Sequence, residues 1–289
     1  MQGKKDCLVE EEQVYSIDLR EVVEARSPGL YAKLPGFLKR YLRKIIHLDL
    51  LNNLFKRAGG RRGVAFSEML LEDFRASVSA SGLENIPREG RIIVVANHPL
   101  GGFDGLALFN VVGKRREDIL VPANDFLMYL ENMREYFLPV NKIGSNMANV
   151  RQLEKAFRGE EAIIMFPAGL CSRKRDGVVC DLEWKKTFVT RARSMQRDVI
   201  PVYIHGRNSK RFYRLAKIRK FFRIKFNIEM MFLVDEAYRL EDKNVKMVIG
   251  KPIPYASFDK RYSDREWAQR VKDHVYRLKE NAEASFDQE

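Results

Sequence analysis

Residues 97–104, Asn-His-Pro-Leu-Gly-Gly-Phe-Asp, are the segment of this chain best equipped for proton transfer. They follow an unbroken apolar run, Ile-Ile-Val-Val-Ala, which predicts a strand buried on both faces. A histidine at the end of such a strand titrates near neutral pH and can serve as a general base. A carboxylate on its other ring nitrogen would fix the tautomer and stabilise the imidazolium. His98 and Asp104 are therefore the candidate base and its orienting partner.

Three further blocks accompany this segment, and together they carry a family resemblance. They are residues 139–151, which end in arginine, residues 166–173, Phe-Pro-Ala-Gly-Leu-Cys-Ser-Arg, and the Ile-Pro-Val at 200–202. In this order and spacing, the four blocks resemble the glycerolipid acyltransferases, typified by lysophosphatidic acid acyltransferase. The signature of that family is His-x4-Asp, whereas five residues separate His98 from Asp104 here. The longer loop and its Gly-Gly pair look more like the bacterial branch often labelled hemolysin, which includes acyltransferases that make amino-acid-containing lipids.

The resemblance implies transfer of an acyl group from a thioester to a hydroxyl. His98 would take the proton of the acceptor hydroxyl, while Asp104 holds the ring. A thioester is already activated, so no enzyme nucleophile, metal or bound cofactor is implied, and acyl carrier protein or acyl-coenzyme A would enter as co-substrate. The absence of a Gly-x-Ser-x-Gly motif agrees with this chemistry, and Ser172 is not interpreted as a nucleophile.

The resemblance also implies a set of substrate-binding residues. In the family, the block equivalent to 166–173 helps to bind the polar head of the acceptor, and an arginine fork suits phosphate or carboxylate. The glycines of the first block would let the backbone turn tightly and approach a substrate. For the two arginines of the set, a solvated basic surface is the alternative. The predicted substrate-binding residues are Gly101, Gly102, Arg151, Phe166, Pro167, Gly169, Ser172 and Arg173.

The chain departs from the family pattern at the acceptor block. Ala168 stands where glutamate is usual, and Leu170-Cys171 replaces Thr-Arg. The lysine expected after the second strand is missing, with Asn124-Asp125 in its region. These departures favour a lyso-aminolipid acceptor with a carboxylate over lysophosphatidic acid, and they leave the His98 chemistry intact.

Alternating apolar runs and helical patterns predict an α/β fold with a largely parallel sheet flanked by helices. Predicted strands cover 91–96, 119–123, 162–166, 199–204, 228–234 and 245–249, and predicted helices cover 103–112, 126–137, 146–158, 182–196 and 265–284. Four strands end in polar or turn residues, and such ends meet in the ligand-binding crevice of an open α/β sheet. We predict an α/β acyltransferase domain over 86–289 and a helical, membrane-associating extension over 1–85.

The formal net charge of +13 calls for an anionic partner. In the extension, Leu34, Leu38, Tyr41, Ile45 and Leu48 share one helical face among many cations, which is typical of a helix at an anionic membrane surface. Packing of this face on the core is the alternative. A second basic and aromatic cluster, 207–226, fits a membrane patch or a dock for acidic acyl carrier protein, whereas nucleic acid is disfavoured because no recognisable module accompanies it.

Location is predicted from segments that the sequence lacks. No apolar run reaches the ~20 residues needed to span a bilayer, and the N-terminus has no secretory signal core. The three cysteines show no metal-binding spacing, so a reducing cytosol is favoured, and Cys171 and Cys180 are interpreted as incidental thiols rather than a hairpin disulfide. We therefore predict a cytoplasmic O-acyltransferase, peripheral on the inner face of the cytoplasmic membrane. The competing hypothesis is a non-enzymatic basic binding protein on an α/β scaffold.

Overall fold

The sheet of this protein is built as the apolar runs predicted. A computed structural model describes residues 16–26, 28–124, 127–140, 147–223, 229, 232–239 and 244–286. Its strands are β1 (Ser77–Ser81), β2 (Ile92–Ala96), β3 (Ile119–Ala123), β4 (Phe137–Pro139), β5 (Ala162–Met165), β6 (Arg173–Arg175), β7 (Val178–Cys180), β8 (Asp198–Ile204) and β9 (Asn244–Ile249). Seven strands form one sheet in the order β1-β9-β8-β2-β5-β3-β4, and β6 and β7 form a separate antiparallel hairpin. Within the large sheet, only the β8–β9 pair is antiparallel.

Helices cover both faces of this sheet. They are α1 (Leu19–Arg26), α2 (Leu30–Lys33), α3 (Gly36–Ile45), α4 (Leu48–Ala58), α5 (Gly63–Asp73), α6 (Gly102–Gly113), α7 (Met147–Arg158), α8 (Thr187–Met195), α9 (Lys210–Phe221), α10 (Leu233–Tyr238) and α11 (Asp264–Arg277). Successive side chains of β2 point to opposite faces, as a strand requires. Val94 lies in the core that α4 to α6 cover, whereas Ile93 and Val95 lie in the core that α8 and α11 cover. The predicted α/β class with a largely parallel sheet is confirmed.

Two predicted elements are wrong. Residues 126–137 do not form one helix, because Leu127–Tyr129 and Glu131–Tyr136 are short 3-10 turns that lead into the edge strand β4. The segment 228–234 was predicted as a strand, yet Leu233 begins α10, whose first turn carries two acidic residues that suit a helix N-terminus. Asp125 and Phe126 lie outside the described residues, as do most of 228–231. In addition, α8 begins later and α11 ends earlier than predicted.

The predicted extension contributes a strand to the sheet. β1 lies before residue 86 and pairs in parallel with β9 at the sheet edge. Its sequence, Ser-Val-Ser-Ala-Ser, has only two apolar residues, so the hydrophobic pattern gave no strand there. Helices α4 and α5 also bury side chains in the core. The boundary at residue 86 therefore does not follow the edge of the sheet.

Helix α3 packs only part of its apolar face on the core and leaves the rest exposed. Ile45 is buried and Leu42 packs against the core, so one side of the helix covers the domain. Phe37 and Tyr41 are 69% and 46% exposed. No helix in the described ranges is long and apolar enough to cross a membrane.

Candidate active site

The site is built where β2 ends between β5 and β8. Asn97, the first residue after β2, is buried and clamps the neighbouring strand. Its Nδ2 donates to the carbonyl of Ile204 at 2.9 Å, and the N–H of Ile204 donates to its Oδ1 at 2.6 Å. The side-chain amide thus makes the two hydrogen bonds that a backbone peptide group of a neighbouring strand would otherwise make. The following histidine therefore leaves the sheet from a fixed point.

His98 and Asp104 form the predicted pair. Nδ1 of His98 lies 3.1 Å from Oδ2 of Asp104, with the histidine side chain 16% exposed and the aspartate side chain fully buried. The same oxygen accepts the N–H groups of Leu100 at 2.7 Å and Gly101 at 3.0 Å. Asp104 therefore closes the first turn of α6 and orients the ring at once. Nε2 is left as the ring nitrogen that can exchange a proton with a substrate.

Burial sets the electrostatics of this pair. Burial raises the pKa of Asp104 above its ordinary value of 3.8, although hydrogen bonding and attraction to His98 oppose the shift. Oδ1 of Asp104 is buried and has no hydrogen-bond partner within the described part of the chain. A carboxylate so poorly solvated interacts strongly with a nearby cation, because little water screens it. An imidazolium at His98 would therefore be stabilised by the neighbouring Asp104 carboxylate.

The block at residues 166–173 is joined directly to this pair. The ring of Phe166 stacks on the ring of His98, with centroids 4.3 Å apart and an interplanar angle of 27°. The N–H of Ser172 donates to the carbonyl of His98 at 2.8 Å. Pro167 accepts a backbone hydrogen bond from Lys185 through its carbonyl. The first and third blocks of the family pattern thus meet at one end of the sheet.

The two glycines of the first block differ in their surroundings. Gly101 has φ +76°, and an added Cβ would lie 2.8 Å from Leu233 and 2.9 Å from Sγ of Cys171. Gly102 begins α6, and a Cβ there would meet nothing within 4 Å. Gly101 is therefore required by the fold, whereas Gly102 leaves open space at the first turn of α6. Gly169 also has a positive φ, +66°, and an added Cβ would approach Lys185.

Ser172 faces the protein interior rather than a substrate. It is 1% exposed, and its hydroxyl donates to Oδ1 of Asp181 at 2.5 Å. That oxygen also accepts the N–H of His98 at 3.1 Å. Oδ2 of Asp181 accepts the indole N–H of Trp184 at 2.9 Å. Sequence reasoning missed Asp181, although it ties the two blocks together.

The two predicted anion-binding arginines are not brought together. Nη2 of Arg173 donates to Oε1 of the fully buried Glu229 at 2.8 Å, and its Nη1 donates to the carbonyl of Cys171 at 2.9 Å. The guanidinium of Arg173 thus donates to groups of the protein itself. Arg151 is exposed on α7, and no contact joins it to the His98 loop among the described residues. Cys171 and Cys180 are free thiols, as predicted, and burial raises the pKa of Cys171 to about 12.

The buried carboxylate of Asp104 and the partly exposed ring of His98 lie at the strand ends of a mostly parallel sheet. This arrangement defines a candidate centre for base-catalysed group transfer. A family profile described as Acyltransferase matches residues 21–285. The chain belongs to this acyltransferase family, as its motifs indicated.

Two named relatives and one solved structure match most of the chain. The lyso-glycine lipid O-acyltransferase of Phocaeicola vulgatus is 42% identical over 277 residues, which cover 95% of this chain and 99% of that protein. The protein of the same name from Bacteroides thetaiotaomicron is 41% identical over 270 residues, which cover 93% and 99% of the two chains. The crystal structure of the 1-acyl-sn-glycerophosphate (LPA) acyltransferase PlsC from Thermotoga maritima superposes with a TM-score of 0.49 and 20% identity, covering 84% of this chain and 89% of that one.

Proposed function

We propose that this protein is a lipid O-acyltransferase that moves a fatty acyl chain from a thioester to the hydroxyl of a lyso-glycine lipid. The observation that carries the proposal is the His98–Asp104 pair, 3.1 Å apart and bonded to the Phe166 block. The relatives named for this reaction align with more than nine-tenths of the chain. The sequence motifs also resemble lysophosphatidic acid acyltransferases, so the acceptor needs its own test.

The chemistry follows from the geometry of the pair. Nε2 of His98 takes the proton of the acceptor hydroxyl as the oxygen attacks the thioester carbonyl. The new carbon–oxygen bond forms, the carbon–sulfur bond breaks, and the proton passes from the imidazolium to the departing thiolate. Asp104 stabilises the imidazolium between these steps. Base catalysis of this kind contributes about 10²–10⁴-fold.

The expected acceptor has a carboxylate head group, and the expected place of reaction is the inner face of the cytoplasmic membrane. The four exposed side chains Phe37, Arg40, Tyr41 and Lys44 of α3 support a peripheral attachment, because aromatic rings and cations suit an anionic lipid surface. The engagement of Arg173 by Glu229 removes one cation from the predicted head-group site. A head-group site with one cation fewer suits the single negative charge of a carboxylate better than the higher charge of a phosphate monoester.

Purified protein tests the proposal with one long-chain acyl group on either acyl carrier protein or coenzyme A. Lyso-glycine lipid and lysophosphatidic acid are compared as acceptors. We expect O-acylated glycine lipid as the main product and its loss in His98→Ala, with circular dichroism unchanged. Turnover confined to lysophosphatidic acid would overturn the acceptor. Wild-type rates in His98→Ala would overturn the assignment of His98 as the base. No turnover of the unmodified protein with either acceptor would favour the binding-protein hypothesis.

A further inference from the structure

An open, strongly basic groove lies between the β6–β7 hairpin and α9. Its volume is about 1620 Å³, and its lining in the described part of the chain includes ten lysines and arginines and two carboxylates. Three of these cations form ion pairs within the fold, since Arg173 and Arg219 share Glu229 and Arg239 pairs with Asp235. The other cations of the groove take no part in these ion pairs, so a different role has to account for them.

Five of the seven remaining cations stand on facing walls of the groove. On α9, Lys210, Arg214 and Lys217 are spaced four and three residues apart, so they share one face of the helix, and all three are exposed. On the hairpin, Lys174 and Arg175 are exposed as well. None of the five has a carboxylate partner among the described residues. Like charges that face each other repel, so a groove of this kind is stabilised when an anionic partner fills it.

The groove borders the loop that carries the base. Its lining includes Leu170 and Arg173, whose neighbour Ser172 is bonded to the carbonyl of His98. It also includes Gly206, where an added Cβ would lie 2.9 Å from the Leu100 side chain. A partner seated in the groove would therefore lie beside His98.

We infer that this groove docks the acidic face of an acyl carrier protein and thereby selects a protein-bound thioester as the donor. The inference rests on the proposed function, because it names the donor of that reaction. Cations on a helix and on a facing hairpin suit an extended acidic protein surface, which can meet both walls at once. The phosphates of coenzyme A cluster at one end of a small molecule and would meet only part of this surface. Charge complementarity of this type mainly accelerates association and falls with salt.

The test reverses charge on each wall separately. One variant carries Lys210→Glu, Arg214→Glu and Lys217→Glu, and a second carries Lys174→Glu and Arg175→Glu. A matched control reverses three exposed cations that do not line the groove, Arg88→Glu, Lys186→Glu and Lys260→Glu. The donors are palmitoyl-acyl carrier protein and palmitoyl-coenzyme A, assayed with the same acceptor.

Both groove variants should raise the KM for the carrier-protein donor by about tenfold or more while kcat is retained, because charge reversal slows docking. The KM for the coenzyme A donor should change less than about threefold, and the control should resemble wild type for both donors. Equal rises for both donors, or no rise for the carrier protein, would overturn the inference. Loss of binding to anionic vesicles with unchanged KM values would assign the groove to the membrane instead.

Direct binding separates failure of this inference from failure of the proposed function. Fluorescence anisotropy of labelled acyl carrier protein with the full chain reports docking without turnover. Salt-sensitive binding that is lost in both groove variants supports the dock even if transfer to lyso-glycine lipid fails. Transfer from the carrier protein with no groove-dependent binding or KM change overturns the dock and leaves the proposed function standing.

Discussion

The carboxylate of Asp181 accepts a hydrogen bond from the backbone N–H of His98, 83 residues earlier in the chain. The same carboxylate binds Ser172 and the indole of Trp184, and the N–H of Asp181 donates to the hydroxyl of Tyr276 at 2.8 Å. Asp181 is 3% exposed, so its contacts form with little competition from water. We therefore propose that Asp181 is a positioning residue for the loop that carries His98, the proposed base.

Asp181→Asn should loosen this loop. The amide can still accept from His98 on one atom, but its NH₂ group faces the indole N–H of Trp184, which is then left without an acceptor. An unpaired buried donor costs about 1–3 kcal/mol, so the free energy of unfolding should fall by that amount. Acyl transfer should lose kcat with little change in acceptor KM, because the substrate contacts are untouched.

Trp184→Phe supplies the control for that variant. It removes the indole donor, so the double variant should lose less stability in urea denaturation than the sum of the two single losses. Independent, additive losses in the double variant would show that the Asp181–Trp184 contact is not the source of the effect.

Asp104→Asn should separate stability from activity. Burial raises the pKa of Asp104 above 3.8, so the folded state binds this proton more tightly than the unfolded state. By linkage, ionised Asp104 destabilises the fold at neutral pH, and this destabilisation disappears as the pH falls through the raised pKa towards 3.8. The variant should therefore be at least as stable as wild type at pH 7, with an advantage that shrinks on acidification.

The same variant should lose activity on the order of 10²–10⁴-fold, because an amide cannot stabilise the imidazolium of His98. Thermal unfolding from pH 7 to pH 4 and acyl-transfer rates at pH 7 give the two readouts. An advantage that grows on acidification would contradict the sign of the Asp104 shift.

Adjacent glycines provide a matched pair. Gly101→Ala should lower the thermal midpoint and abolish transfer, since a Cβ there collides with Leu233 and Cys171 at a positive φ. Gly102→Ala should keep or raise the midpoint, because alanine stabilises helical positions by up to ~1 kcal/mol and the added Cβ meets nothing. The activity of Gly102→Ala then reports on substrate approach alone. Equal thermal midpoints for the two variants would contradict the close packing around Gly101.

The sequence predicts this site as far as its contacts are local. β2 and α6 follow from apolar patterning, and the His98–Asp104 pair spans six residues and closes a helix turn. Asp181 and Glu229 escaped prediction because their partners lie 83 and 56 residues away, and only tertiary packing brings them together. The pairing of Arg173 with Glu229 is the unpredicted contact that most changes the interpretation of the site. From the sequence alone, a cation in a basic loop is interpreted as solvated or ligand-binding, because its buried partner is not known.

Arg173→Ala should lower stability rather than acceptor affinity alone. It removes a charged hydrogen bond from Glu229, worth about 1.5–3 kcal/mol, and leaves Arg219 as the remaining partner of that carboxylate. Glu229→Gln in the same chain should restore part of the loss, because the buried charge disappears. Arg151→Ala, at an exposed position, should change the free energy of unfolding by less than ~0.5 kcal/mol. A higher acceptor KM in Arg173→Lys at unchanged stability would instead support the anion-binding role predicted for Arg173.

Exposed side chains of α3 should contribute to binding of anionic vesicles. Phe37, Arg40, Tyr41 and Lys44 are spaced three, one and three residues apart, so they share one face, which the fold leaves exposed. Phe37→Ala with Tyr41→Ala should reduce sedimentation with phosphatidylglycerol vesicles at every salt concentration, because apolar insertion does not depend on screening. Leu50→Ala on α4, where leucine is 51% exposed, is the matched control and should sediment like wild type.

Charge reversal on the same face should have a different salt dependence. Arg40→Glu with Lys44→Glu should weaken binding most at low salt, since the attraction is screened over ~8 Å at physiological ionic strength. Arg43 pairs with Asp49 in the fold, so Arg43→Glu should have a smaller effect than either of these changes. Equal binding of wild type to neutral and anionic vesicles at all salt concentrations would rule out electrostatic attachment through α3, and it would leave the two aromatic rings as the remaining membrane contact of this helix.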